Sequence, residues 1–283
     1  MAFLHQILRD TAQQINASQK RYPLAKLKRM IRDASPVRSL RLALIGPFGL
    51  IAEVKRRSPS GGEMNKENFK QAPAAYAKSP IVKAVSVLSN TNYFGMDIKE
   101  LARIKKAVSK PILRKDFIIS EYQLYEARAF GADAVLLMAN ILDQKGLDVL
   151  FLKARELGLE VMFEAHTQAE IRDIPEDALI CGINSRNFKA ADKLWAAKKK
   201  KPLAAPAASR GGADPTVDLK AFSLVKHLPK EAVKVAESGV KPDKVHEVAR
   251  LGFHAALVGT TLLQAPAGVE DMLRQFERAL KRV

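Results

Sequence analysis

The chain has 283 residues, 47% of them hydrophobic and only 6% aromatic, with a formal net charge of +17. A closed α/β barrel is one of the few single domains that fill this length, so one domain over 1–283 is expected. A lone cysteine, Cys181, excludes an internal disulfide, and no apolar stretch approaches the roughly 20 residues of a membrane-spanning helix. Nothing near the start reads as a secretory signal, so the chain is expected to be cytoplasmic.

Residues 1–48 read as an N-terminal helical extension, with candidate helices at 3–15 and 24–31. Eight short aliphatic runs follow, at 50–55, 81–88, 111–115, 134–138, 160–164, 179–184, 233–236 and 255–258. Helix-like spacing fills 66–78, 98–108, 121–130, 144–157, 217–227 and 241–251 between them. Gly131, Gly158 and Gly252 stand where helices would end. This alternation predicts an α/β fold, a (β/α)8 TIM barrel, although an open doubly wound sheet satisfies the same pattern. Residues 190–215 are rich in Ala, Lys and Pro and cannot supply a packed core, so they read as a mobile basic insertion after strand six. Between 189 and 213 stand seven basic residues against the single acid Asp192.

In such barrels the C-terminal strand ends converge on one face, where active sites are built. Alternation places Glu53 and Lys55 together at the end of the first strand. The third strand brings Lys115, the fifth Glu164, the sixth Asn184 and Arg186, and the seventh Glu237. A lone strand-end charge is often just solvated. Two lysines and three glutamates from four strands are a stronger signal, because burying so many charges is costly unless they pair or perform chemistry. After strands seven and eight, Ser238, Gly239, Gly259 and Thr260 let backbone N–H groups approach an anion, which is the mechanism of a phosphate site. The basic, Gly-rich loop at 56–62 is either an exposed turn or a flap over substrate. The sequence has no GxGxxG, Walker loop, HExxH or CxxC, and its five histidines lack metal-ligand spacing. Neither a metal nor a nucleotide cofactor is expected.

The segments IAEVKRRSPS (51–60), YFG (93–95), LRKDFII (113–119), YQLYEAR (122–128), GINSRN (182–187) and VAESG (235–239) resemble indole-3-glycerol-phosphate synthase, and the resemblance covers nearly the whole chain. It implies a cofactor-free carboxy-lyase of tryptophan biosynthesis, closing 1-(2-carboxyphenylamino)-1-deoxyribulose 5-phosphate to indole-3-glycerol phosphate with loss of CO2 and water. By carry-over, Lys115 matches the general acid of ring closure, and Glu53, Lys55 and Glu164 match the other catalytic positions. Asn184, Arg186, Glu237 and Ser58 match substrate contacts, Phe94, Phe117 and Phe188 the apolar surround of the anthranilate ring, and Ser238, Gly239, Gly259 and Thr260 the phosphate site. A lysine acts as an acid near neutrality only if its pKa falls, which burial and the nearby cation Lys55 are expected to achieve.

The 190–215 insertion departs from the family pattern, and Asn90 stands where an acidic residue is usual. The insertion reads as a spacer, with a basic lid or a docking segment for a neighbouring tryptophan-pathway enzyme as alternatives. A phosphoribosylanthranilate isomerase-like barrel would share the phosphate site but gives no reason for Lys115 beside Glu53 and Lys55. RNA binding would suit the charge, yet nothing in phosphate-backbone binding requires buried glutamates, so the expected partner is a phosphorylated small molecule rather than nucleic acid or a membrane.

Overall fold

The eight aliphatic runs form parallel strands: β1 (Gly49–Val54), β2 (Val82–Leu88), β3 (Ile112–Lys115), β4 (Ala134–Met138), β5 (Glu160–Ala165), β6 (Ile180–Asn184), β7 (Val233–Glu237) and β8 (Ala255–Val258). The computed structural model describes residues 2–187 and 216–281. Each strand pairs with its sequence neighbours, and β1 pairs with β8, so the sheet closes without an edge. This selects the barrel over the open sheet.

Period-two alternation divides each strand between two cores. Ile51, Ala84, Leu113, Leu136, Met162, Ile180, Val235 and Leu257 share one buried cluster that fills the barrel. Leu50, Val85, Ile112, Val135, Phe163, Cys181 and Ala256 belong to the larger cluster that also takes in the surrounding helices. Because the inward set ends in polar residues at the C-terminal rim, alternation also aims Glu53, Lys115, Glu164, Asn184 and Glu237 at the mouth.

The N-terminal extension forms α1 (Ala2–Arg21), α2 (Leu24–Arg32) and α3 (Leu40–Leu44). At the bottom of the barrel, Ser39 Oγ and Arg41 N donate to the Glu160 carboxylate at 2.6 and 2.8 Å, which seats α3 under β5. At the opposite end, Gln14 Nε2 of α1 donates to Ser89 O at 3.1 Å, and Gln14 Oε1 accepts from Thr91 N at 3.3 Å. Tyr93 Oη donates to Asp10 Oδ2 at 2.6 Å. α1 thus grips the loop after β2.

α1 extends six residues past the expected 3–15: Ala17, Gln19, Lys20 and Arg21 favour helix, Ser18 Oγ donates to Glu126 Oε1, and the stretch has little apolar periodicity to announce it. The helix expected at 217–227 is a 3-10 helix, Leu219–His227, and 56–62 folds into a hairpin of Arg57–Ser58 against Gly62–Glu63. α3 and the C-terminal helix Val269–Leu280 were not expected; the latter buries Val269, Leu273 and Phe276 at helical spacing.

Residues 188–215 lie outside the described residues, and with them Phe188 and the 190–215 insertion. The chain on either side is paired: Arg186 and Val217 form an antiparallel bridge, Asn187 N donates to Thr216 O at 2.6 Å, and Asp218 N to Ser185 O at 2.8 Å.

Candidate active site

Lys115 ends β3 on the same face as Leu113, inside the barrel. Its Nζ donates to Glu164 Oε2 at 2.9 Å and to Glu237 Oε2 at 2.7 Å. Both carboxylates are buried. Burial is the largest single influence on Lys115 and favours the neutral amine, but Glu164, Glu237 and Glu53 together outweigh it and raise the pKa above the ordinary lysine value. The expected fall toward neutrality is therefore corrected. The neighbours that dominate are carboxylates, and Lys55 is spent on Glu53, with its Nζ 2.5 Å from Glu53 Oε1.

The two carboxylates on Lys115 diverge. Burial pushes Glu164 up, but the Lys115 and His166 charges outweigh it and hold it at about 2. Burial, and next the charge of Glu164, push Glu237 up to about 8. Two anions on one ammonium leave one negative charge in excess, and Glu237 relieves it by retaining a proton.

Glycines make room for these groups. A Cβ on Gly182 would overlap Glu237 Oε1 and lie 2.7 Å from Met162 Cε, and a Cβ on Gly259 would overlap Glu53 Oε1. Gly259, matched to the phosphate site from sequence, is thus also the wall behind Glu53.

Of the other residues expected at a phosphate site, Ser238 and Gly239 follow β7 with φ of 68° and 72°. A left-handed serine costs on the order of 1–3 kcal/mol, so something must hold it. Ser238 Oγ donates to Asn184 Oδ1 at 2.8 Å, and Ser185 Oγ donates to Ser238 O at 3.0 Å. Thr260 opens a short helix, Thr260–Leu263, whose N-cap is Gly259. Arg186 Nη1 donates to Ser60 Oγ at 2.9 Å, tying the hairpin to the end of β6. Ser58 Oγ accepts from Gly61 N at 2.9 Å within that hairpin, and Gln264 Nε2 donates to Gly61 O at 2.8 Å. The 56–62 loop is therefore pinned at both ends of the mouth. Phe94 and Phe117 stack with centroids 6.2 Å apart and an interplanar angle of 16°, on the loops after β2 and β3.

Two features escaped the sequence reading. Arg114, between two inward residues, points outward and is fully buried: Nη2 meets Asp116 Oδ2 at 3.0 Å and Glu126 Oε2 at 2.8 Å, Nη1 donates to Gln123 O at 2.7 Å, and Nε to Ser89 Oγ at 2.9 Å. This network braces the segment that carries Lys115. His166 is the other. It stands two residues beyond Glu164, so alternation gives it the same face, with Nε2 3.4 Å from Glu164 Oε1. Asn90, the departure noted above, is buried and caps the Thr91–Phe94 turn, its Oδ1 accepting from Tyr93 N at 3.2 Å.

The indole-3-glycerol phosphate synthase family profile matches residues 4–193. A relative of that name from Bacteroides thetaiotaomicron is 33% identical over 280 residues, covering 98% of both chains. Another, from Paenarthrobacter aurescens, is 35% identical over 265 residues, covering 90% of this chain and 88% of its own. This chain belongs to the indole-3-glycerol phosphate synthase family. Similarity to solved structures shows the fold. 3-Hexulose-6-phosphate synthase from Salmonella typhimurium aligns with a TM-score of 0.57 at 15% identity, covering 83% of this chain and 99% of its own. N-(5'-phosphoribosyl)anthranilate isomerase from Pyrococcus furiosus aligns at 0.55 and 14%, covering 83% and 100%. Among the described residues no helix is long and apolar enough to cross a membrane.

Within the synthase family's barrel, this site is a set of proton-carrying groups. Glu53, Lys55, Lys115, Glu164 and Glu237 supply two cations and three carboxyls at one mouth, and among the described residues no group of three or more His, Cys, Asp or Glu could hold a metal ion.

Proposed function

We propose that the Lys115–Glu164–Glu237 cluster is the acid-base centre with which this synthase-family chain closes 1-(2-carboxyphenylamino)-1-deoxyribulose 5-phosphate to indole-3-glycerol phosphate. The observation that carries this reading is one partly buried ammonium bonded to two buried carboxyls of opposite proton affinity.

In the first step the ring carbon bearing the carboxylate attacks the ketone carbon, and the ketone oxygen takes a proton from Lys115. The bond to the carboxylate then breaks, CO2 leaves, and the electron pair restores the aromatic ring. In the last step the new hydroxyl departs as water with a second proton, while a base removes one carbon-bound proton. Lys55 and Glu53, already 2.5 Å apart, suit that last exchange. Glu237 assists the first: retaining its own proton below about pH 8, it withdraws one of the negative charges that bind the proton to Lys115.

Asn184 and Arg186 hold the substrate's hydroxyls and carboxylate, with Ser58 and the hairpin across them. Ser238, Gly239, Gly259 and Thr260 receive the phosphate, where the backbone N–H groups need no further counter-charge. Phe94 and Phe117 flank the ring, and Phe188 belongs to the same proposed surround. The substrate's anionic groups and the buried carboxyls give the positive charge a metabolite to attract rather than a nucleic acid. A cytoplasmic location suits a biosynthetic step, and 190–215 is assigned as a spacer in a single 1–283 domain.

The test is incubation with the carboxyphenylamino-deoxyribulose phosphate, followed by indole fluorescence. Turnover is expected in the unaltered chain and its loss in Lys115→Ala. A folded chain without turnover overturns the proposal.

A further inference from the structure

The reaction just described takes up two protons and gives back one, so each turnover of the ionised substrate consumes one proton from water. The groups that spend protons are recessed in the mouth, with the Lys115 side chain 16% exposed before substrate binds. Glu164 is fully buried, and Lys115 is largely enclosed by Glu164 and Glu237. A substrate filling the mouth would cover them further, so resupply needs a route that does not cross the substrate.

We propose that Glu170 and His166 form this route, a carboxyl–imidazole relay from solvent to Glu164. Resting on the functional reading above, it assigns His166 as a positioning and proton-transfer residue acting through Glu164. Glu164 uses its two oxygens for different neighbours: Oε2 accepts from Lys115, whereas Oε1 faces His166 Nε2 at 3.4 Å. A shift of a few tenths of an ångström brings that pair to ordinary hydrogen-bond distance. The far nitrogen, Nδ1, lies 3.2 Å from Glu170 Oε2, and the same oxygen accepts from His166 N at 2.7 Å. Glu170 belongs to the short helix Gln168–Arg172, whose N-cap Thr167 accepts from Glu170 N at 3.2 Å. The Glu170 side chain is 20% exposed, against 9% for His166 and none for Glu164, so the chain of contacts descends from water to the buried centre.

The transfers balance. His166 gives its Nε2 proton to Glu164 Oε1 and takes one at Nδ1 that the Glu170 carboxylate picks up from water and passes on at once, since burial is outweighed by the His166 contacts that hold Glu170 below the ordinary carboxyl range. A flip of the imidazole ring then restores the Nε2–H tautomer for the next turnover. A half-turn of the Glu164 carboxyl about Cγ–Cδ presents the proton to the Lys115 amine left after ring closure. The charged groups that face this line are Lys115 from β3, Glu164 from β5, Glu237 from β7 and Glu170 from the following helix.

The experiment compares the unaltered chain with His166→Asn and Glu170→Gln for kcat, KM, the solvent deuterium effect on kcat, and rescue by added imidazole. The relay predicts that kcat falls tenfold or more in His166→Asn with KM within twofold, that the solvent effect grows, and that imidazole restores part of kcat in proportion to its concentration. Glu170→Gln should lower kcat in the same sense, and the double variant should fall no further than His166→Asn. Should His166→Asn not fold, Glu170→Gln alone decides through its kcat and solvent effect. An unchanged kcat, or a loss with no growth in the solvent effect and no imidazole response, overturns the relay. No turnover in the unaltered chain overturns the functional reading itself, and the relay with it.

Discussion

Lys115 Nζ sits 2.7 Å from Glu237 Oε2, yet Glu237 holds its proton more tightly than an ordinary carboxyl because burial and the charge of Glu164 outweigh that ammonium. A carboxyl whose folded-state pKa is raised contributes stability below its unfolded value, and this is lost as pH rises toward the folded value, here from about 4.5 to about 8. Glu237→Gln cannot ionise. Its Tm relative to the parent is expected to be higher at pH 9 than at pH 5, by roughly 2–4 °C for each kcal/mol relieved. Thermal melts at the two pH values check the sign, and an advantage that is larger at pH 5 contradicts it. Glu164, held down to about 2, works the other way and costs stability as pH falls from about 4.5 toward 2.

Gly182→Ala and Gly259→Ala each push a Cβ into a carboxylate oxygen, of Glu237 and Glu53 respectively. Each is expected to lower kcat by at least about tenfold, roughly 1.4 kcal/mol in the barrier, through misplacement of one acid-base group. Circular dichroism should show an intact barrel, and kinetics within twofold of the parent would refute the steric account.

Arg114→Met removes the buried cation shared by Asp116 and Glu126 and leaves both carboxylates uncompensated. The expected loss is about 3–5 kcal/mol in denaturant unfolding. The double replacement of Asp116 and Glu126 by Asn and Gln in the same background should recover part of it, which a packing defect alone would not permit.

Gln14→Ala frees the loop after β2 from α1 by deleting bonds to Ser89 O and Thr91 N. A stability loss of about 0.5–1.5 kcal/mol is expected for the bonds alone. Because Phe94 lies on this loop, KM should rise several-fold with kcat little changed, and steady-state kinetics would separate the two.

The barrel was legible because its strands are short aliphatic runs at even spacing and closure needs no further signal than their number. The strand-end charges were legible from alternation, which places Glu53 and Lys55, or Leu113 and Lys115, on one face. Proton affinity was not. The direction of the Lys115 shift depends on which charges lie across the barrel, and Glu164 and Glu237 are 49 and 122 residues away in sequence. His166 was passed over because the histidines were weighed for metal-ligand spacing rather than for parity with a catalytic carboxylate. Arg114 was hidden by the same alternation that revealed Lys115, since nothing local says that an outward arginine will be fully enclosed.

The bridge between Arg186 and Val217 brings the two sides of 188–215 together before the chain re-enters the barrel. Chain length between such fixed ends is thermodynamically inexpensive, about 0.6 kcal/mol for each doubling. The register of β6 against β7 is thus set on both sides of 188–215 by pairings among the flanking residues themselves, so the two strands meet in one alignment whatever length of chain joins them.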